Sequence, residues 1–180
     1  MSANQDAPAI QRYNTRRAEG LYPELLRCVA VPRWARALVD GRPYGGVTEL
    51  TAHAAELTEG LTEAEVLLAL ADHPKIGQRV NAGWSRTEQS GVDDRDARLA
   101  EALHAGNVAY EQRFGHIYLV CATGRSGAEL LADLTARLAN EPAAEIAVVR
   151  TELGKIAGLR LARVLAGPEP EQPESTERQA

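Results

Sequence analysis

The chain is predicted to fold as an all-α domain, a single compact bundle of about seven helices. Three observations predict it. Alanine, leucine, glutamate and arginine dominate the 180 residues while aromatics make up 4%, a mix that favours helix over sheet. Apolar residues recur at spacings of three and four in several windows, which is the helical period. Only one short apolar run, Tyr118 to Cys121, can be read as extended, and one such run does not make a sheet. A hydrophobic content of 44% suits one sizeable core and argues against wholesale disorder.

The elements follow in order. Residues 1–14 are polar and read as a loosely held segment ahead of a helical domain over 15–167. Residues 22–31 form a helix with Leu25, Leu26 and Val29 on one side. Pro32 opens the next helix, 33–40, at the first position, where its missing N–H is not needed. Gly41, Pro43, Gly45 and Gly46 mark a loop, and a third helix covers about 47–57. Thr62-Glu63-Ala64-Glu65 is a capping box that opens a helix running through Val66, Leu67, Leu68 and Leu70. It must stop near Asp72 and His73, because Pro74 disfavours helix at the residue before it. Residues 74–86, with Pro74, Gly77, Asn81 and Gly83, read as an irregular loop. A long helix is expected over roughly 93–113, with Leu99, Leu103, Tyr110 and Phe114 at spacings of four, seven and four. Gly124 and Gly127 bracket a turn before two last helices, about 128–139 and 143–166. The tail, 168–180, is rich in Pro, Glu and Gln and is expected to be disordered.

Composition also narrows the function. Lys+Arg 20 against Asp+Glu 25 leaves a formal charge of -5, with no electrostatic reason to expect a nucleic-acid or acidic-membrane partner. No apolar run approaches the roughly 20 residues that span a bilayer. The opening residues lack the basic start and apolar stretch of a signal peptide, so a cytoplasmic location is expected. Cys28 and Cys121 make neither a disulfide framework nor a zinc knuckle. His53, His73, His104 and His116 form no HxxxH or HExxH pair. No metal site is expected.

Three places can carry chemistry. Ile146, Val149, Leu153 and Ile156 are spaced three, four and three, and the next slot of that series is Arg160. An arginine there either pairs with a structural carboxylate or snorkels outward, or it clamps an anionic ligand with its planar fork. His73 ends an apolar helix just before a proline. It either caps the last carbonyls or acts in proton transfer near neutral pH. Ser85-x-x-Glu88 has capping-box spacing, and a helix N-terminus also offers N–H donors to a ligand.

At these residues the sequence resembles the 2-oxo-4-hydroxy-4-carboxy-5-ureidoimidazoline (OHCU) decarboxylases. Cys28…Arg33-Trp34-Ala35…Arg42-Pro43-Tyr44 resembles that family's Cys-containing segment followed by RWA and RPF. His73-Pro74-Lys75-Ile76-Gly77 resembles its HPxIG element, and Ser85-x-x-Glu88-Gln89-x-Gly91 its SxxEQxxAG element. Asn107-x-x-Tyr110-x-x-Arg113-Phe114-Gly115 and Cys121-x-x-Gly124 resemble NxxYxxKFG and the apolar CxxG after it. Arg137-Leu138-x-Asn140, then Glu141 or Glu145, then Ile156…Leu159-Arg160-Leu161 resemble RLxN…E…IxxLRL. The six pieces stand in order over about residues 13–165. The departures are Arg27 in place of the first cysteine of the family's usual pair, Tyr44 in place of Phe, and Ser90-Gly91-Val92 where Ala-Gly is usual.

The resemblance implies a compact all-α fold, a homodimer and a cofactor-independent decarboxylase that acts on OHCU and yields S-allantoin in urate breakdown. It implies His73, Glu88 and Arg160 as the catalytic residues. Pro74, Ser85 and Gln89 would line the site, and the backbone of Leu119, Val120 and Cys121 would face the ligand. The substrate fits a site without cofactor, because the electrons left by CO2 can pass into the adjoining C=N/C=O system. Two other readings compete: a non-enzymatic helical interaction domain, and a lyase or hydrolase for a related small carboxylate.

Overall fold

The computed structural model describes residues 3–71, 73 and 97–167. Among them are eight helices and no strand: α1 (Ala3–Thr15), α2 (Ala18–Cys28), α3 (Pro32–Asp40), α4 (Val47–Glu59), α5 (Glu63–Leu70), α6 (Ala97–Phe114), α7 (Gly127–Arg137) and α8 (Pro142–Ala166). Seven correspond to expected helices. The eighth, α1, replaces the loose segment expected at the N-terminus. Its Ala9, Ile10 and Tyr13 share one buried face, and its docking is polar as well as apolar. The Tyr13 hydroxyl donates to the Leu38 carbonyl at 3.2 Å, and Arg12 donates to the Leu165 carbonyl at 3.1 Å. Asn14 exchanges two hydrogen bonds with the Tyr44 backbone. Tertiary contacts of this kind stabilise a helix whose own sequence is weakly helical.

The capping box at Thr62 is formed. The Thr62 hydroxyl accepts from the Glu65 N–H at 3.3 Å, and Glu65 accepts from the Thr62 N–H at 2.9 Å. Ser126 and Glu129 make the same reciprocal pair at the start of α7. The start expected for α6 near residue 93, the loop 74–86 and the tail 168–180 lie outside the described residues.

Two hydrophobic cores organise the molecule. The larger gathers residues of α1 to α5 and α8, among them Leu21, Leu25, Trp34, Leu38, Leu50 and Leu153. The Trp34 Nε1–H at its centre is satisfied by the Ala54 carbonyl and the Thr58 hydroxyl. The smaller holds Leu103, Tyr110, Leu130 and Leu134 of α6 and α7. These helices approach closely at Gly106, where a Cβ would stand 2.6 Å from Leu134 Cδ2, so only glycine fits without displacing the leucine.

The apolar run after α6 threads between the cores. Ile117, Leu119 and Cys121 pack with the larger one, and Tyr118, Val120 and Ala122 with the smaller. Alternation by two is the signature of an extended chain. Here it stands without a neighbouring strand among the described residues.

Candidate active site

His73 follows α5 and is half-buried. Its backbone N–H bonds the Leu70 carbonyl at 3.0 Å, and its Nδ1 lies 2.7 Å from the Ala69 carbonyl. A carbonyl oxygen only accepts, so Nδ1 carries the hydrogen in that contact. The tautomer is thereby set, and the other ring nitrogen, Nε2, is buried. His73 thus caps the helix end, and the cap orients the ring.

Arg160 lies on α8 and is 7% exposed. Its Nη1 donates to the carbonyls of Arg27 at 3.2 Å and Cys28 at 3.3 Å. These belong to the last turn of α2, where carbonyls lack intrahelical partners and favour a cation. The pair engages one nitrogen of a five-donor fork, and the arginine has further interactions of its own. The helix carrying it packs against α5, and Leu70 of α5, Leu119 and Ile156 share the larger core.

Leu119 and Val120 are buried and Cys121 is half-buried. Arg137 Nη1 donates to the Leu119 carbonyl at 2.8 Å, and the Cys121 N–H donates to Glu152 at 2.8 Å. Arg137 belongs to a buried cluster around Glu145, which is 0% exposed. Glu145 Oε1 accepts from Arg137 Nε at 2.8 Å and Nη2 at 2.5 Å, and from the Tyr110 hydroxyl; its Oε2 accepts from Asn140 at 2.6 Å. Burial disfavours the Arg137 cation, but Glu145 and the two tyrosines beside it outweigh that and hold the guanidinium more firmly protonated than usual. The Tyr110 hydroxyl is held well above its ordinary range by burial first and by Glu145 next. Of the two glutamates after Asn140, Glu145 is the buried and hydrogen-bonded one, while Glu141 is exposed.

Of the expected site residues, His73 follows α5, Arg160 lies on α8 against the last turn of α2, Leu119 and Cys121 pack with the larger core, and Val120 packs with the smaller. Pro74, Ser85, Glu88 and Gln89 lie outside the described residues. A cavity of about 740 Å³ at the ends of α1 and α8, between Arg12, Tyr13, Arg16, Val164 and Leu165, contains none of the expected groups. Its arginines are committed to the Leu165 carbonyl and to Glu24. Among the described residues no three His, Cys, Asp or Glu side chains are grouped to hold a metal ion, and no helix is long and apolar enough to cross a membrane.

The ring of His73, held at the end of α5, and the buried guanidinium of Arg160 on α8 are carried by two helices that pack together. Comparison with known proteins gives the class of the chain. Residues 14–162 match the sequence profile of OHCU decarboxylase, and the chain belongs to the OHCU decarboxylase family. It is 32% identical over 149 residues to a 2-oxo-4-hydroxy-4-carboxy-5-ureidoimidazoline decarboxylase of Amia calva, covering 79% of this chain and 83% of that protein. It is 34% identical over 108 residues, 56% of this chain, to the uric acid degradation bifunctional protein TTL of Arabidopsis thaliana, and spans only 33% of its length. The solved structure of an OHCU decarboxylase in the presence of (S)-allantoin superposes with a TM-score of 0.69 at 27% identity, covering 79% of this chain and 97% of that one.

Proposed function

We propose that the chain is a carboxy-lyase that converts OHCU to S-allantoin in urate breakdown, without a cofactor. The observation that carries this is the family match over residues 14–162. The family resemblance suggests which residues carry the chemistry. His73, Glu88 and Arg160 are the proposed catalytic residues, with Pro74, Ser85, Gln89 and the backbone of Leu119, Val120 and Cys121 against the substrate.

Arg160 binds an anionic or carbonyl portion of the substrate and fixes its orientation. His73 and Glu88 flank the ring carbon bearing hydroxyl and carboxylate. The bond from that carbon to the carboxylate breaks and CO2 leaves; the electron pair forms a C=C bond to the ureido-bearing carbon, and the C=N electrons go to the ring nitrogen, which takes up a proton. The hydroxyl proton departs as its C–O bond becomes a carbonyl, and a proton is delivered to one face of the ring carbon bearing the ureido group. The reaction of the carboxylate form consumes one proton overall. With Nδ1–H pointing at the Ala69 carbonyl, Nε2 is the nitrogen through which His73 would move that proton. A homodimer and a cytoplasmic location complete the proposal.

The test generates the unstable substrate in place, from urate with an oxidase and the upstream hydrolase, and follows circular dichroism. Fast appearance of S-allantoin with the protein present, against slow racemic product without it, is expected. Equal rates and racemic product in both would remove the decarboxylase reading. Sedimentation at micromolar concentration checks the dimer.

A further inference from the structure

One buried carboxylate is left over by the acid–base chemistry. Glu152 on α8 is 7% exposed. Its Oε2 accepts from the Cys121 N–H at 2.8 Å, and its Oε1 accepts from Lys155 Nζ at 2.5 Å. It stands on the inward stripe of α8 with Ile156 and Arg160, at steps of four. Eight residues of helix put Glu152 and Arg160 about 12 Å apart along the axis.

The segment it holds has few other supports. Tyr118, Leu119 and Val120 are almost wholly buried, and buried backbone groups need partners. Among the described residues only two backbone groups between Tyr118 and Cys121 are hydrogen-bonded: the Leu119 carbonyl, by Arg137, and the Cys121 N–H, by Glu152. Both partners are charged side chains from helices on either side. Such bonds are shorter and stronger than neutral ones. Burying a carboxylate is costly, and a structure that needed only to fill space here would use an apolar residue. What the two charges supply is a fixed position for the peptide units between them.

We propose that Glu152 is a positioning residue of the decarboxylase. It accepts from the Cys121 N–H and, with Arg137 on the Leu119 carbonyl, holds the backbone through Val120 in register with the substrate. This rests on the decarboxylase reading, since only a bound substrate gives that register a catalytic meaning.

The test compares Glu152→Ala, Glu152→Gln and Lys155→Met with the wild type on OHCU made in place, and records the Cys121 amide resonance by ¹H–¹⁵N correlation. Glu152→Ala is expected to lose about 100-fold in kcat/KM, mostly in kcat, as misplaced contacts do, and to move the Cys121 amide upfield. Glu152→Gln keeps an acceptor oxygen, so it should hold the amide resonance and recover to within about tenfold of wild type. Lys155→Met should stay within about twofold, because the lysine is itself exposed and bonds Oε1, leaving Oε2 on the Cys121 N–H. Should the alanine variant not fold, Glu152→Asp takes its place, its carboxylate withdrawn by one methylene. A folded variant with a displaced Cys121 amide and wild-type turnover overturns the assignment alone. So does a glutamine variant that keeps the amide bond yet loses as much activity as alanine. An inert wild type instead overturns the decarboxylase reading, and this assignment with it.

Discussion

His73 holds the end of α5, and in the proposed mechanism the same ring moves a proton. The Ala69 carbonyl fixes its Nδ1 as donor, so an asparagine at 73 can keep the cap with its amide N–H while losing any proton transfer. His73→Asn should therefore abolish CO2 release with helicity and melting temperature nearly unchanged; turnover at the wild-type rate would remove the imidazole from the reaction. Arg160 differs, because it also ties down the end of α2 through the Arg27 and Cys28 carbonyls. Arg160→Met should raise KM at least about tenfold and also lower stability by about 1–3 kcal/mol, as buried carbonyls left unsatisfied do. A normal KM with only the stability loss, from substrate titration and urea unfolding, would make the arginine structural. Arg160 was legible in the sequence because a charge interrupts an apolar series. The same signal marks Glu145 and Glu152, which lie on that stripe with Val149 and Ile156 and are as buried. They escape a reading that looks only for the next slot after the last hydrophobe. No local pattern says that a carboxylate will meet a backbone N–H 31 residues away.

At the scale of elements, α5 matters because it ends at His73. Its start is held by Glu65, which accepts from Arg33 at 2.8 and 2.9 Å as well as from the Thr62 N–H. The Arg33 guanidinium first, and then the Thr62 N–H, pull the Glu65 carboxyl down from 4.5 to about 2. A carboxyl depressed on folding stabilises the fold above its unfolded pKa, and that contribution is lost as pH falls from 4.5 toward 2. Glu65→Gln should thus be less stable than wild type near neutral pH, by up to about 1 kcal/mol for a surface pair. The gap should close toward about pH 2, as the wild-type carboxyl itself becomes neutral. Urea midpoints across that range check it; a gap that is constant with pH would mean that Glu65 acts through shape and not charge. The cap was legible because both partners lie within four residues. So were the helices with apolar periodicity of their own and the proline that opens α3. The α1 helix was not legible, since three buried residues in a polar stretch are weak evidence until α8 and the Tyr44 loop are in place.

Across the whole molecule, Glu145 is one side chain that ties the two cores together. It sits on α8, which belongs to the larger core, yet its partners Tyr110, Arg137 and Asn140 come from α6, α7 and the turn before α8. Arg137 passes the tie on to Leu119, and Asp133, Tyr118 and Arg125 extend it outward. Removing one partner of a buried ion pair leaves the other charge without compensation and costs about 3–5 kcal/mol, whereas replacing both by apolar groups often costs far less. Glu145→Leu should be strongly destabilised, and Arg137→Met with Glu145→Leu should recover part of that loss, which a double-mutant cycle reads as coupling. The damage should also be uneven. In native-state hydrogen exchange, amides of α6 and α7 should lose more protection than those of α2 to α4, because the smaller core depends on this tie and the larger keeps Trp34 and its neighbours. Decarboxylation should fall in the single variant even where it remains folded, since the Leu119 carbonyl loses the fixed geometry of its donor. Uniform loss of protection along the chain would show that the two cores unfold as a single unit and that Glu145 stabilises the domain without joining its parts.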